Sequence, residues 1–220
     1  MEGRVYQVPI DHPRATIDRV VIVSPLTEWV EAYKVARRRA FSRYGVSTVL
    51  DNHEEQAARA SRVALVLGMA GDQVRSGISV HRSALISGID LPSAVMLAGI
   101  DMQWAALTHG TIELSGTMRS RTATREDVDI MLEVSVGAIA LFGADAVGTA
   151  PPHMKPRYAE LGFAPCQHLP AFEYPEGMIT TPMSMLDPVR MPLAEPTVRE
   201  RMLTWRNALT VWVPTTGDLA

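Results

Sequence analysis

The sequence predicts a mixed α/β fold, a central β-sheet with parallel and antiparallel neighbours covered by helices on both faces. Three observations lead there. Strand and helix patterns alternate along most of the 220 residues, the order that builds layered sheets. Two apolar runs, 62–69 and 74–82, are separated by Ala70-Gly-Asp-Gln73, a turn signal that joins them as an antiparallel hairpin. Residues 124–142 read as a helix that is apolar almost all the way round after Asp129, with Glu133 the one charged exception. Such a helix needs cover on more than one side.

Composition narrows the function classes. With 47% hydrophobic residues the chain can bury a substantial core, so one domain over residues 1–220 is expected, with 190–220 a C-terminal helix and tail. A formal charge of −3 argues against a general nucleic-acid binder; the clusters Lys34–Arg39 and Arg119–Arg125 are local patches. The single cysteine, Cys166, excludes an intrachain disulfide framework and fits a reducing compartment. No apolar run reaches spanning length, and the acidic residues Glu2, Asp11 and Asp18 do not fit a signal peptide. The expectation is a cytoplasmic protein without internal repeats.

Taken in order, 20–23 is a short apolar strand and 26–43 a helix. In that helix Leu26, Trp29, Val30, Tyr33, Ala36, Ala40 and Phe41 follow helical spacing, with the basic residues mostly opposite and Gly45 able to close it. The polar stretch 51–56 reads as a loop; its His53, Glu54 and Glu55 have no further ligand at a metal-binding spacing. The hairpin follows. Within it Gly77-Ile-Ser-Val-His81 misses the nucleophile-elbow pattern, because His81 stands where glycine is required. Residues 91–107 form a helix candidate beginning near Pro92, and 111–118 a strand. Thr124 can cap the long helix, with Glu126 and Asp127 in its first turn. A strand at 146–150 and a Pro-rich turn precede a brief helix at 157–161 stopped by Gly162. An extended segment at 165–172, a hairpin turn at 173–177 and a strand at 178–186 come next. Pro182 marks that strand as an edge or a bulge. Residues 195–209 form the last helix.

The chain is organised around residues 111–127. A strand feeding a helix N-terminus aims unpaired N–H groups and a positive dipole end at one spot, where Arg119, Arg121 and Arg125 also gather. That spot is either an anion seat or a basic surface turn. Other candidates are weaker. Cys166 has no identifiable base beside it and reads as packing, and His81, His109, His153 and His168 are too scattered for a zinc site, so no metal is expected.

On four pieces of sequence the chain resembles a GNAT-type N-acyltransferase, within the branch of acyl-homoserine-lactone synthases and N-acyl amino acid synthases. Tyr158-Ala-Glu-Leu-Gly-Phe163 matches that family's Tyr-x-x-x-Gly-Phe. Glu113-Leu-Ser-Gly116 matches the acidic opening of its central strand. Val74-Arg-Ser-Gly-Ile-Ser-Val-His-Arg82 resembles the strand after its first hairpin. The helix at 33–44 with the 51–55 loop resembles its acceptor side. The resemblance implies a GNAT-like fold and transfer of an acyl group from acyl-CoA or an acyl carrier protein to the amine of an amino acid or related small molecule, by direct attack in a ternary complex. The thioester is a co-substrate, and no tightly bound cofactor is implied. The pantetheine arm would lie in a splay between the strands at 111–118 and 146–150.

Attack on a thioester needs a free amine, a site for the oxyanion and a proton for the thiolate. By the resemblance Glu113 takes the amine proton and Tyr158 protonates the thiolate. The alternatives are a carboxylate paired with arginine and a core tyrosine. Strand N–H groups around Leu114, Ser115, Gly116 and Thr117 would polarise the carbonyl, and Arg119, Arg121 and Arg125 would hold the phosphate end. One departure stands out. The family's pyrophosphate loop is glycine-rich, whereas no glycine lies between Gly116 and Gly137 here, so side chains must replace backbone contacts. This fits an acidic carrier protein as donor, or a GNAT-fold protein that binds a thioester without transferring its acyl group. Decarboxylation or hydrolysis of a thioester is a third reading.

Overall fold

The computed structural model describes residues 5–23, 28–44, 62–82, 111–167, 169–173 and 179–212. Gly45, the 51–56 loop, the 91–107 helix, most of the 173–177 turn, His109, His168 and the tail beyond 212 lie outside these residues.

The described strands are β1 (Val5–Pro9), β2 (Arg19–Val23), β3 (Arg62–Ala70), β4 (Gln73–Arg82), β5 (Ile112–Arg119), β6 (Ala146–Ala150), β7 (Ala164–Pro165), β8 (Phe172–Glu173) and β9 (Ile179–Met185). The sheet runs β1-β2-β3-β4-β5-β6-β9-β7, with β8 also on β9. Among these strands only β5 and β6 pair in parallel. A parallel pair needs a crossover, and α2 (Arg125–Ala140) provides it.

Two apolar layers explain why the inner strands read as continuous apolar runs. Val20, Ile22, Val66, Ile78, Ile112 and Leu114 pack with α2 on one face. Val21, Val23, Leu65 and Leu67 pack with Tyr33 and Ala40 of α1 (Trp29–Phe41) on the other. The helices therefore cover both faces, as the sequence predicts. β1 was not predicted. It is short and its outer positions are exposed, so it shows little periodic signal.

The long helix is fixed at its start by a reciprocal cap. The Thr124 hydroxyl accepts from the Asp127 N–H, and the Asp127 carboxylate accepts from the Thr124 N–H at 2.7 Å. Asp127 also accepts from the N–H groups of Thr16 and Ile17, at 2.7 and 3.2 Å, which ties the β1–β2 connection to the helix. From Asp127 to Ala140 nearly every position is buried. The last helix, α4 (Pro196–Ala208), supplies the outer cover, and a Cβ on Gly137 would stand 3.0 Å from the Met202 carbonyl and the Trp205 Cβ. Glycine there permits the close approach.

Pro182 resolves differently from expectation. β9 is paired on both sides and shows no register shift against β6. The Pro182 carbonyl accepts from Cys166 N–H, on the side facing β7. On an antiparallel strand the missing proline N–H faces that same side. The reciprocal bond, from residue 182 to the Cys166 carbonyl, is therefore missing, and that carbonyl accepts instead from Leu169 N–H at 3.1 Å, where pairing passes from β7 to β8.

Candidate active site

β5 changes character halfway along. Its first residues pair with β6 at Ile112–Ala146, Glu113–Val147 and Leu114–Gly148, and the pairing stops there. On the other side, against β4, Ser79 partners Ser115 but Gly77 partners Met118, so β5 carries one extra residue in this interval. That is a β-bulge, and Gly116 with φ +69° occupies it. The strands part beyond Leu114, and the bulge turns residues 115–117 away from regular pairing with β4.

A cavity of about 470 Å³ opens at this gap. Glu113, Leu114, Ser115, Gly116, Thr117, Arg119, Arg125 and Tyr158 all line it. Arg121 is exposed and is not among the lining residues. His153, from the Pro-rich turn, also lines it.

The gap brings together groups from opposite faces of the sheet. Ile112 and Leu114 point toward α2, so Glu113 between them projects toward the α1 face. It is 2% exposed and lies directly opposite the equally buried His81 of β4. Tyr158 comes from the α2 face, on α3 (Lys155–Glu160), which ends at Gly162 with φ +99°. Its ring packs edge-on against Phe163, with ring centroids 5.3 Å apart, and lies over Gly148, where a Cβ would be 3.4 Å from the ring. The family-like Tyr-x-x-x-Gly-Phe run is thus a local unit that turns α3 and seats the tyrosine. The phenol hydroxyl is 3.4 Å from the Thr117 hydroxyl. Burial pushes the phenol above its ordinary pKa, outweighing the Thr117 contact, and the nearby Glu113 charge adds to the effect. Tyr158 therefore stays protonated at neutral pH, the state a proton donor needs.

Beside Tyr158, Arg157 is 5% exposed and bridges three carboxylates. It lies 2.8 Å from Asp129, donates to Glu133 at 2.6 Å and donates to Glu160 at 2.9 Å. Arg201 of α4 also holds Glu133, at 2.9 and 2.8 Å. The network fastens α3 to α2 and α4, and with it the tyrosine. Burial raises the pKa of Asp129, against the opposing field of Arg157.

The α2 N-terminus is a poorer phosphate cradle than the sequence pattern alone predicts. The Thr124 N–H is already taken by Asp127. Arg125 is three-quarters exposed and stands 3.7 Å from Asp129, and Arg119 is exposed. The cap thus occupies two N–H groups of the helix start, those of Thr124 and Asp127.

The sequence reading passed over Arg37 and Arg43, which line the cavity from the α1 side. The signal was present, since Tyr33, Arg37 and Phe41 recur at four-residue intervals and share a helix face. Tyr33 donates to the Gly116 carbonyl at 2.8 Å, one turn before Arg37. Among the described residues, no group of three His, Cys, Asp or Glu side chains could hold a metal, and no helix is long and apolar enough to cross a membrane.

No protein-family profile and no curated protein matches the sequence. Solved structures do match the fold. The N-acyl amino acid synthase FeeM from uncultured soil microbes aligns with a TM-score of 0.59 at 12% identity, covering 93% of this chain and 98% of that one. Escherichia coli ElaA aligns with a TM-score of 0.53 at 12% identity, over 73% of this chain and 93% of its own. The CoA-dependent acyl-homoserine lactone synthase BjaI, with MTA bound, aligns at 0.52 and 16% identity, over 82% and 87%. The fold is that of GNAT-type acyltransferases. It is shared with an N-acyl amino acid synthase over nearly the full length of both chains.

Proposed function

We propose that the protein is an N-acyltransferase that moves an acyl group from a pantetheine thioester to the amine of an amino acid or related small molecule. One observation carries the reading: the β5–β6 pairing ends at Leu114–Gly148 beside a bulge, and the cavity opened there is lined by both a buried carboxylate and a buried phenol. The pantetheine arm enters the gap in extended form, alongside β5, as a substitute for the missing strand partner.

The amine nitrogen attacks the thioester carbonyl carbon in a ternary complex, forming the C–N bond. Backbone groups near the bulge, around Leu114, Ser115, Gly116 and Thr117, hold the oxyanion. Glu113 accepts the amine proton, directly or through water. The C–S bond then breaks and Tyr158 protonates the departing thiolate; solvent exchange afterwards restores both residues. Arg119 and Arg125 face the phosphate end of the donor. With the helix start partly occupied by Asp127, these side chains suit an acidic carrier protein as well as free acyl-CoA. Arg121, outside the cavity, fits contact with a carrier's surface.

The test is thiol release from a panel of acyl-CoA and acyl-carrier thioesters with a panel of amines. Glu113→Gln and Tyr158→Phe are each expected to slow turnover by roughly a hundredfold or more. Unchanged rates in both would remove the site assignment. Thioester binding without turnover on any amine would favour a binding protein, the reading that the glycine-poor phosphate loop supports. Acid or decarboxylated thioester formed without an added amine would favour hydrolysis or decarboxylation.

A further inference from the structure

We propose that Arg37 binds the carboxylate of the acceptor, so that the amine substrate is an amino acid rather than a simple amine. The inference rests on the acyl-transfer reading above and names a subsite within it.

The guanidinium of Arg37 lies against the bulge, where a Cβ on Gly116 would be 2.9 Å from both its Cζ and its Nε. The ring of Phe41, one turn later, lies beneath it with Cζ 5.3 Å from the centroid, a cation–π contact that helps to hold the group at the bulge. Arg37 lines the cavity, yet its buried Nε has no hydrogen-bond partner and it makes no ion pair among the described residues. Arg157, on the far side of the same cavity, spends its charge on three carboxylates of the protein. A partly buried guanidinium left without an anion is costly, and a planar carboxylate is the ligand its fork of donors fits.

Position separates this group from the donor's phosphate. The Arg37 guanidinium lies at Gly116, where the proposed donor carbonyl is held, whereas the backbone of Arg119 is three residues further along the strand, roughly 10 Å on. The two side chains reach the cavity from different elements, Arg37 from α1 at the bulge and Arg119 from the end of β5, so each can serve a different anion. The carboxylate of an α-amino acid lies next to its amine, so anchoring the first at Arg37 delivers the second to the carbonyl. Pairing the carboxylate also removes the negative field that keeps the neighbouring ammonium protonated, which eases the loss of a proton to Glu113.

The experiment compares each standard amino acid with its uncharged carboxamide as acceptor, using acyl-CoA thioesters from acetyl to palmitoyl, in wild type, Arg37→Gln and Arg37→Lys. The expected result is a preference for the acid in wild type. In Arg37→Gln, kcat/KM for the acid falls by about tenfold to a hundredfold through KM, while the carboxamide changes less than about twofold. Arg37→Lys, which keeps the charge without the fork, falls between. Equal losses on both acceptors, or a rise confined to the thioester's KM, would overturn the assignment. If wild type transfers to no amine, the acyl-transfer reading itself fails. Calorimetric titration of the same proteins with N-decanoyl amino acids and their carboxamides then decides the subsite: acid-selective binding lost in Arg37→Gln supports it, and binding indifferent to the carboxylate or absent overturns it.

Discussion

Replacing Gly116 by alanine tests the geometry of the bulge in one step. The residue sits at φ +69°, where an L side chain costs about 1–2 kcal/mol. The new methyl would also stand 2.6 Å from the Tyr33 hydroxyl and 2.9 Å from the Arg37 guanidinium. Tyr33 is buried and its hydroxyl is committed to the Gly116 carbonyl at 2.8 Å, so it cannot move without losing that bond, worth about 1 kcal/mol. The sum is about 2–3 kcal/mol. A control is built into the protein: Gly71, in the β3–β4 turn, has φ +54° but nothing within 4 Å of its Cβ position. Gly71→Ala pays for the backbone alone. Urea unfolding of both variants should show Gly116→Ala the less stable by about 1 kcal/mol or more, and thiol-release assays should show it inactive while Gly71→Ala retains activity. Equal destabilisation of the two would mean that Tyr33 and Arg37 do not press on the bulge, and the account of the α1 side of the cavity would fall with it.

Asp127→Asn should lose about 2 kcal/mol at pH 7, because it weakens a cap and the anchor for Thr16 and Ile17. Burial opposes ionisation of Asp127, but the hydrogen bonds from Thr16, Thr124 and Ile17 outweigh it and hold the carboxyl below its ordinary pKa. Its contribution is therefore present above the unfolded-state pKa of about 4 and lost as pH falls through the lower folded value, so chemical denaturation should show wild type and variant converging below about pH 4. Arg157→Met leaves half-buried Asp129 with only the exposed Arg125 at 3.7 Å, while Glu133 keeps Arg201, and should cost about 3 kcal/mol by the same method. Since the phenol of Tyr158 is raised above its usual value of about 10, it is not the source of an alkaline decline in rate that begins below about pH 9. A pH profile in which that limb starts below about pH 9 and vanishes in Tyr158→Phe would contradict this.

The sheet and its cover were legible in the sequence because they rest on strong periodic signals. The 62–82 hairpin, the 128–142 apolar run and the Thr124 cap each have a local cause, and each lies within a residue or two of its predicted place. β1 was not legible, since a five-residue edge strand with one wet face resembles a loop. The site divides the same way. Glu113 and Tyr158 stand on motifs and share the cavity. Arg37 reaches it only because Gly116 lacks a side chain, a fact about two distant segments that no local pattern carries. The reverse holds for Arg121, which faces solvent while Arg119 and Arg125, on either side of it, line the cavity. Three arginines within seven residues cannot all face one point when a strand end and a turn separate them.

The central claim is that a thioester arm fills the place on β5 that β6 vacates past Leu114. A crystal structure with CoA or a non-hydrolysable acyl-pantetheine bound tests it most directly. The account predicts the pantetheine amides hydrogen-bonded along β5 between Leu114 and Thr117, the sulfur near the Tyr158 hydroxyl, and the phosphates beside Arg119 and Arg125. Pantetheine bound elsewhere, with β5 and β6 drawn together through Ala150, would contradict it.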